Sequence, residues 1–364
     1  MNEKCAAPSV EELTAIPPYS LDKTEKHALY GAALSALTQY HYEKCPEYRG
    51  ILQVLGYEEG AALAAEDIPM LPVRLFKEYD LRSVGADAVA KTMTSSGTTG
   101  QRVSKIYLDK ENTARQTKVM AHIVGDFLGG KRLPMIILDT SAVLKDRKMF
   151  SARGAGIMGF SMFGRDRIYA MDEEMHLDLD GLRAFLEKHA GEPIFLFGFT
   201  FMIWQYFYGE LKRLGETLDL SNGILIHGGG WKKLQQEAVS ADAFRAALRD
   251  VCGICRVHNY YGMVEQLGSI YVECECGHLH CSNFSDVLVR SPRDFSVLPP
   301  HERGLIEVQS LLPTSYPGHV LLTEDEGEIL GEDDCPCGRK GKYFAIHGRI
   351  KGAEIRGCSD TYGR

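Results

Sequence analysis

The 364-residue chain has no excess of basic charge, no export signal, no membrane-length apolar run and neither of two familiar nucleotide-binding fingerprints. Lys and Arg number 41 against 49 Asp and Glu, and the formal charge of -8 argues against a general nucleic-acid binder while leaving room for a local basic patch. Met1 to Glu12 lack the basic start and apolar core of a secretory signal, so the expected location is cytoplasmic. The most apolar stretch, Ile194 to Tyr208, is short for a membrane span and is interrupted by Gly198 and Gln205. A buried strand running into a buried helix accounts for it. No Gly-Lys-Ser/Thr phosphate loop and no GxGxxG turn is present, which excludes the common P-loop and dinucleotide folds. Repeats and low-complexity tracts are missing too.

What remains is ordinary globular composition, 45% hydrophobic and 25% charged, in a chain long enough for one large domain or two unequal ones. Periodicity predicts a long helix over Leu21 to Cys45 and further helical pieces at Ile51 to Leu55 and Glu59 to Ala65. Short apolar strands (Met135 to Leu138, Ile194 to Phe197, Gly223 to His227) then alternate with helices (Asn112 to Phe127, Leu179 to His189, Phe199 to Leu214, Ala241 to Arg249). That alternation predicts an α/β fold with a largely parallel sheet. After Glu265 the texture changes to shorter strands with frequent glycines, which predicts a smaller, mostly β subdomain.

Three separated segments carry chemistry. In Ser95-Ser96-Gly97-Thr98-Thr99-Gly100 the glycines let backbone N–H groups approach phosphate oxygens, and the hydroxyls add donors without charge. The alternating Val103 to Leu108 that follows makes this a loop between strands. His227-Gly228-Gly229-Gly230-Trp231 follows a strand, where α/β sheets collect ligands, and its glycines suit either a flexible turn or the wall of an adenine or acyl pocket. Tyr260-Tyr261-Gly262-Met263-Val264-Glu265 offers an aromatic platform and, in Glu265, a carboxylate suited to Mg2+ on phosphates. Gly348-Arg349-Ile350-Lys351-Gly352 adds late cationic groups.

On these residues the chain resembles the acyl-protein synthetase family, the fatty-acid-activating component of bacterial luminescence systems. It is also similar, more distantly, to phenylacetate–CoA ligases and other adenylate-forming enzymes. Ser95 to Gly100 looks like the family phosphate loop, and Tyr260 to Glu265 looks like its aromatic-glycine-glutamate motif. Asp325 looks like its ribose-binding acid and Arg349 like its late arginine. Ile68-Pro69, Pro72-Val73 and Phe76-Lys77 resemble the synthetase branch in particular. The resemblance implies the N-terminal domain of an adenylate-forming enzyme with mostly parallel sheets and a smaller β subdomain, lacking most of the mobile C-terminal domain. The implied boundaries are 1–80 (helical), 81–265 (ATP- and acyl-binding core), 266–348 (β-rich) and 349–364 (hinge-like tail).

The implied reaction joins a carboxylate to ATP as acyl-AMP, releasing pyrophosphate, with Mg2+, the loop amides, Arg349 and Lys351 stabilising charge on the phosphates. A thiolate then displaces AMP. The distal lysine of full-length relatives is not found before the chain stops at Arg364, so either Lys351 or an unassigned earlier lysine is expected to substitute, or the first half-reaction proceeds differently. In the synthetase branch a cysteine near the C-terminus accepts the acyl group before a reductase partner takes it. Cys358 is the matching residue. Free CoA as acceptor, or a zinc-stabilised binding protein without turnover, are the rival readings. The apolar Phe195, Phe197, Phe199, Phe201 and Trp204 can line an acyl tunnel or form core. No nucleic acid and no membrane span are expected.

Six of the ten cysteines lie between Cys274 and Cys358. In a chain without an export signal this clustering favours metal ligation or thiol chemistry over disulfides. Cys335 and Cys337 are the leading ligands for a structural Zn2+; Cys274 or Cys276 and His280 would complete four, with Cys281 as a substitute.

Overall fold

The structure, a computed structural model, describes residues 9–95, 102–145, 152–231 and 236–350. Two compact units emerge, the second being essentially Phe127–Tyr261, which falls in sequence between the segments of the first. In chain order the strands begin with β1 (Leu71–Pro72), β2 (Lys91–Thr94) and β3 (Lys105–Leu108). The second unit supplies β4 (Leu133–Thr140), β5 (Gly164–Met171), β6 (Ile194–Phe199), β7 (Gly223–Gly228) and β8 (Arg256–Tyr261). Beyond it come β9 (Tyr271–Glu273), β10 (Leu279–His280), β11 (Ser285–Arg290), β12 (Gly304–Ser310), β13 (Val320–Glu332) and β14 (Lys342–Arg349).

In the second unit β5, β4, β6, β7 and β8 pair in that order, all parallel. Every residue of β4, β6 and β7 is buried, as expected of a parallel sheet covered on both faces. Amphipathic helices supply the cover. Leu179–Lys188 buries Leu182 and Phe185 behind an Asp178 cap, and Ala241–Cys252 buries Phe244, Leu248, Val251 and Cys252 behind a Ser240 cap. Gly253, at φ +70°, ends the latter. The stretch expected as one helix from Phe199 is a short α-turn, a π-helical segment over Ile203–Tyr208, and a closing α-turn. Phe195, Phe197 and Phe199 are sheet core, while Phe201 and Trp204 are half-buried.

In the first unit the long helix Lys23–Lys44 starts with a reciprocal Asp22/Glu25 capping box. The helical piece expected at Glu59–Ala65 is not formed. Gly56 and Gly60 sit at φ +75° and +79°, and only Ala65–Asp67 makes a 3-10 turn. β11, β12, β13, β14 and β10 form an antiparallel series, with β1 parallel to β13. The expected short strand Val320 to Leu322 extends to 13 residues as β13. Its pairing with β14 shifts register between Glu326 and Gly327 and again between Ile329 and Gly331. Glycine is needed at both points: a Cβ on Gly327 would strike the Ala345 carbonyl, and one on Gly331 the Tyr343 hydroxyl. No helix among the described residues is long and apolar enough to cross a membrane.

Two buried imidazoles, His41 and His319, stack at 5.0 Å in this unit. His41 Nδ1 lies 2.7 Å from Ser83 Oγ and Nε2 3.1 Å from the Pro313 carbonyl; His319 Nε2 lies 2.9 Å from Thr38 Oγ1. Burial lowers both pKa values, that of His41 to about 3 from an ordinary 6.5, and burial lowers His227 of the second unit to about 3 as well. The unfolded chain therefore binds more protons between these limits. The stabilisation is complete above pH 6.5 and is lost as pH falls towards 3. At pH 5 the loss is about 2 kcal/mol per histidine. Guanidinium unfolding at pH 7.5 and pH 5 should show a clear drop in midpoint; equal midpoints would contradict neutral buried rings.

Candidate active site

The phosphate-loop candidate is framed by β2 and β3, an antiparallel pair with Thr94 opposite Lys105. Of the loop, Ser95 is described, while Ser96, Gly97, Thr98, Thr99 and Gly100 lie outside the described residues. Ser95 N–H donates to the Ser104 carbonyl at 3.1 Å, and Ser104 N–H donates back to Ser95 Oγ at 2.9 Å. The Ser104 hydroxyl donates to Glu265 Oε1 at 2.5 Å. Both Ser104 and Glu265 are fully buried. One hydrogen-bonded line thus joins the loop stem to the acid of the aromatic-glycine motif.

Glu265 sits in a 3-10 turn, Val264–Gln266, just beyond Gly262 and Met263. The Gln266 amide donates to the carbonyls of Gly318 at 3.0 Å and Val308 at 3.3 Å, anchoring the turn to a buried loop. Tyr316 of that loop has its pKa raised by burial and by the neighbouring Glu265 charge.

Asp325 and Arg349 stand directly opposite each other on β13 and β14. Arg349 Nε lies 3.4 Å from Asp325 Oδ1, and Nη2 donates to Glu324 Oε2 at 3.0 Å. Asp325 is buried at 2% exposure. Its amide is fixed by Thr323 Oγ1, which in turn donates to the Ile306 carbonyl. Arg349 Nη1 is also buried and has no hydrogen-bond partner among the described residues, which leaves a donor for an acceptor. Lys351 and Cys358 lie outside the described residues.

In the second unit the parallel register brings Phe199, Gly228 and Tyr260 side by side at the carboxyl edge of the sheet, the edge at which such sheets bind ligands. The glycine run has separable reasons. A Cβ on Gly228 would collide with the Tyr260 ring, and Gly229 adopts φ +73°. Half-buried Tyr260 packs on Phe160 (centroids 5.1 Å) and stacks near Phe197 (6.4 Å), while Tyr261 is buried. Gly230 and Trp231 are buried; Trp231 meets Trp204 edge-on at 5.4 Å. His227 Nδ1 lies 2.9 Å from Thr200 Oγ1, tying β7 to the segment after β6. A cavity of about 540 Å³ opens at the opposite, amino edge, beside Arg183, His189, Ile194 and Asn222. Its position sets it apart from the carboxyl-edge residues.

The cysteine candidates also gather. Ligand atoms of Cys274, His280, Cys335 and Cys337 all lie within 4.8 Å of one another. Two come from the β13–β14 turn and two from the region of β9 and β10, where His280 pairs with Tyr343. Cys337 Sγ is 3.4 Å from His280 Nε2, and His278 Nδ1 is 3.3 Å from Cys335 Sγ. Cys276 is exposed and stands outside the four, its N–H directed to Cys274 Sγ at 3.4 Å. Cys281 is buried, its thiol pushed far up by burial. Two thiols, an imidazole and a third thiol in one cluster match the donor set of a tetrahedral zinc site.

Sequence reasoning passed over Ser104, Gln266 and Thr200. Ser104 reads as one polar residue in an alternating strand, and its partner lies 161 positions away. Only the position of Gln266, next to Glu265, hints at its anchoring role.

This architecture is that of the adenylate-forming ligases. A 2-hydroxyisobutyryl-CoA ligase crystallised in its postadenylation state superposes with a TM-score of 0.67 at 15% identity, covering 91% of this chain and 69% of that one. An open conformation of the same ligase gives 0.67 at 16%, covering 95% and 80%. The chain belongs to the acyl-protein synthetase (LuxE) family, whose model matches residues 3–364. It is 23% identical to a long-chain-fatty-acid–luciferin-component ligase of Vibrio harveyi over 94% of this chain and 89% of that protein. It is 22% identical to the Aliivibrio fischeri protein of the same description over 93% and 86%. A phenylacetate–coenzyme A ligase of Thermus thermophilus is 32% identical over 29% of this chain and 24% of its own length. The protein is an ATP-dependent, acyl-activating ligase that adenylates a carboxylic acid.

The carboxyl-edge packing makes a direct prediction. Gly228→Ala should displace Tyr260 at a stability cost of about 1–3 kcal/mol, and calorimetry should find weaker ATP binding. Unchanged stability and unchanged ATP affinity would disconnect this edge from the nucleotide.

Proposed function

We propose that the protein activates a long-chain fatty acid as acyl-AMP and transfers the acyl group to a cysteine thiol, Cys358, from which an acceptor such as an acyl-reductase partner takes it. The Asp325–Arg349 pair carries this reading: two motif residues 24 positions apart become cross-strand neighbours, suited to the ribose and phosphate ends of one nucleotide. Ser95 to Gly100 and the backbone of Gly228 to Gly230 would hold phosphates and base, with Tyr260 as the aromatic surface and Tyr261 to Met263 as the turn beside it. Glu265 would hold Mg2+. Arg349, and Lys351 beyond the described residues, would oppose charge growing on the α-phosphate as the carboxylate attacks. A thiolate then forms the thioester and AMP leaves with the electron pair of the broken anhydride bond.

Fatty acid rather than aryl acid is favoured because both relatives matched over nearly the whole chain are described as fatty-acid ligases. The local likeness to a phenylacetate–coenzyme A ligase supports a second reading in which free CoA takes the acyl group. ATP consumption and reduced cysteines suit a cytoplasmic setting. ATP–pyrophosphate exchange should respond to one chain-length class among acids from acetate to long-chain fatty acids, with phenylacetate inactive. Cys358→Ala should keep exchange and lose stable acylation of the chain. A variant that still transfers acyl groups to CoA at the wild-type rate would favour the second reading.

Cys274, His280, Cys335 and Cys337 would hold a structural Zn2+. The cluster has four protein donors, which leaves no open position for chemistry. His278 would orient Cys335 from outside the coordination shell. Metal analysis should find one zinc per chain, and Cys335→Ser should lose it and lower the thermal midpoint. Purified protein free of zinc with an unchanged midpoint would reject the site.

A further inference from the structure

A carboxylate that binds Mg2+ must face the phosphates in a fixed plane, yet Glu265 reaches the phosphate-loop stem from 161 positions away. We infer that Ser104 is the positioning residue that couples the phosphate loop to Glu265, an inference resting on the assignment of Glu265 to Mg2+.

The main chain around Glu265 is already fixed. Gln266 is clamped to the Gly318 and Val308 carbonyls, and the packing is close enough that a Cβ on Gly318 would come within 2.9 Å of the Glu265 carbonyl. What is left to set is the rotation of the side chain. The 2.5 Å hydrogen bond from Ser104 to Oε1 sets it, because holding one oxygen fixes the plane of both.

The donor is neutral, and that matters chemically. Lysine or arginine at this position would orient the carboxylate but cancel the charge that attracts the cation. A hydroxyl orients it and leaves the charge in place. Ser104 is fully buried, so water does not compete for the bond. Its main chain is tied to Ser95 in both directions, by Ser95 N–H to its carbonyl and by its own N–H to Ser95 Oγ. A shift of the loop stem is therefore transmitted to Glu265. The Mg2+ carboxylate is aligned when the loop stem is in register.

The test measures ATP affinity by calorimetry on the full chain across a magnesium series, with a parallel measurement in EDTA. Ser104→Ala should raise the Mg2+ concentration needed for half-maximal tightening about tenfold, with ATP affinity in EDTA unchanged. Ser104→Thr keeps the hydroxyl and should restore the wild-type requirement. Ser104→Cys preserves volume with a weaker donor and should behave like the alanine variant, which keeps the test open if alanine impairs folding. Glu265→Gln separates the two layers of the argument. A raised Mg2+ requirement in Glu265→Gln, with wild-type behaviour in Ser104→Ala and Ser104→Cys, would overturn the role of Ser104. Wild-type behaviour in Glu265→Gln as well would overturn the assignment of Glu265 to Mg2+, and the inference with it.

Discussion

The pairing of β13 with β14 is the constraint on which the first unit depends. One end of this hairpin is a turn carrying Cys335 and Cys337; the other holds Asp325 opposite Arg349. Between them the register slips twice, at glycines where no side chain fits. The two slips offset each other, so Asp325 faces Arg349 in the same register that pairs Gly331 with Tyr343, and losing either slip alone would separate the acid from the base. Restraint applied at the cysteine turn therefore acts on the same two strands that hold the acidic–basic pair. His280 belongs to the neighbouring strand β10, opposite Tyr343, and lies 3.4 Å from Cys337 Sγ, so the cysteine turn is fastened to that strand as well.

The second unit obeys a different constraint, the in-register parallel packing of fully buried strands. Parallel strands end together, and this alignment puts Phe199, Gly228 and Tyr260 at one edge. The glycines there are not interchangeable parts of a flexible turn. Gly228 is small because an aromatic ring occupies the space of its side chain, and Gly229 is glycine because its backbone is left-handed. Anchored at one side by His227 on Thr200 and at the other by buried Trp231, the run is held by packing.

Buried polar contacts complete the first unit. His41, His319, Ser83, Thr38 and Gln266 each make at least one hydrogen bond to a main-chain or side-chain partner away from water. Such groups are costly if unpaired, so the network tolerates few alternative arrangements of the Gly318 loop. That rigidity reaches Glu265 through its neighbour Gln266, while Ser104 holds its carboxylate.

Local pattern was enough to read the α/β alternation, the helices Leu179–Lys188 and Ala241–Cys252, the strands around Met135, Ile194 and Gly223, and the strand Lys105–Leu108 that follows the glycine-hydroxyl segment. These follow from period, caps and residue type, which act over a few positions. The helix expected at Glu59–Ala65 failed because two left-handed glycines outweighed its composition, and β13 outran its expected length because its glycines serve bulges rather than an end. Motif order also sufficed for family membership, since widely spaced signatures survive in sequence. Tertiary structure alone decided that Cys274 rather than Cys276 joins His280, Cys335 and Cys337, that Ser104 meets Glu265 and that Asp325 faces Arg349. Each of those relations is a distance between atoms far apart along the chain, set by strand register and close packing, which no local preference encodes.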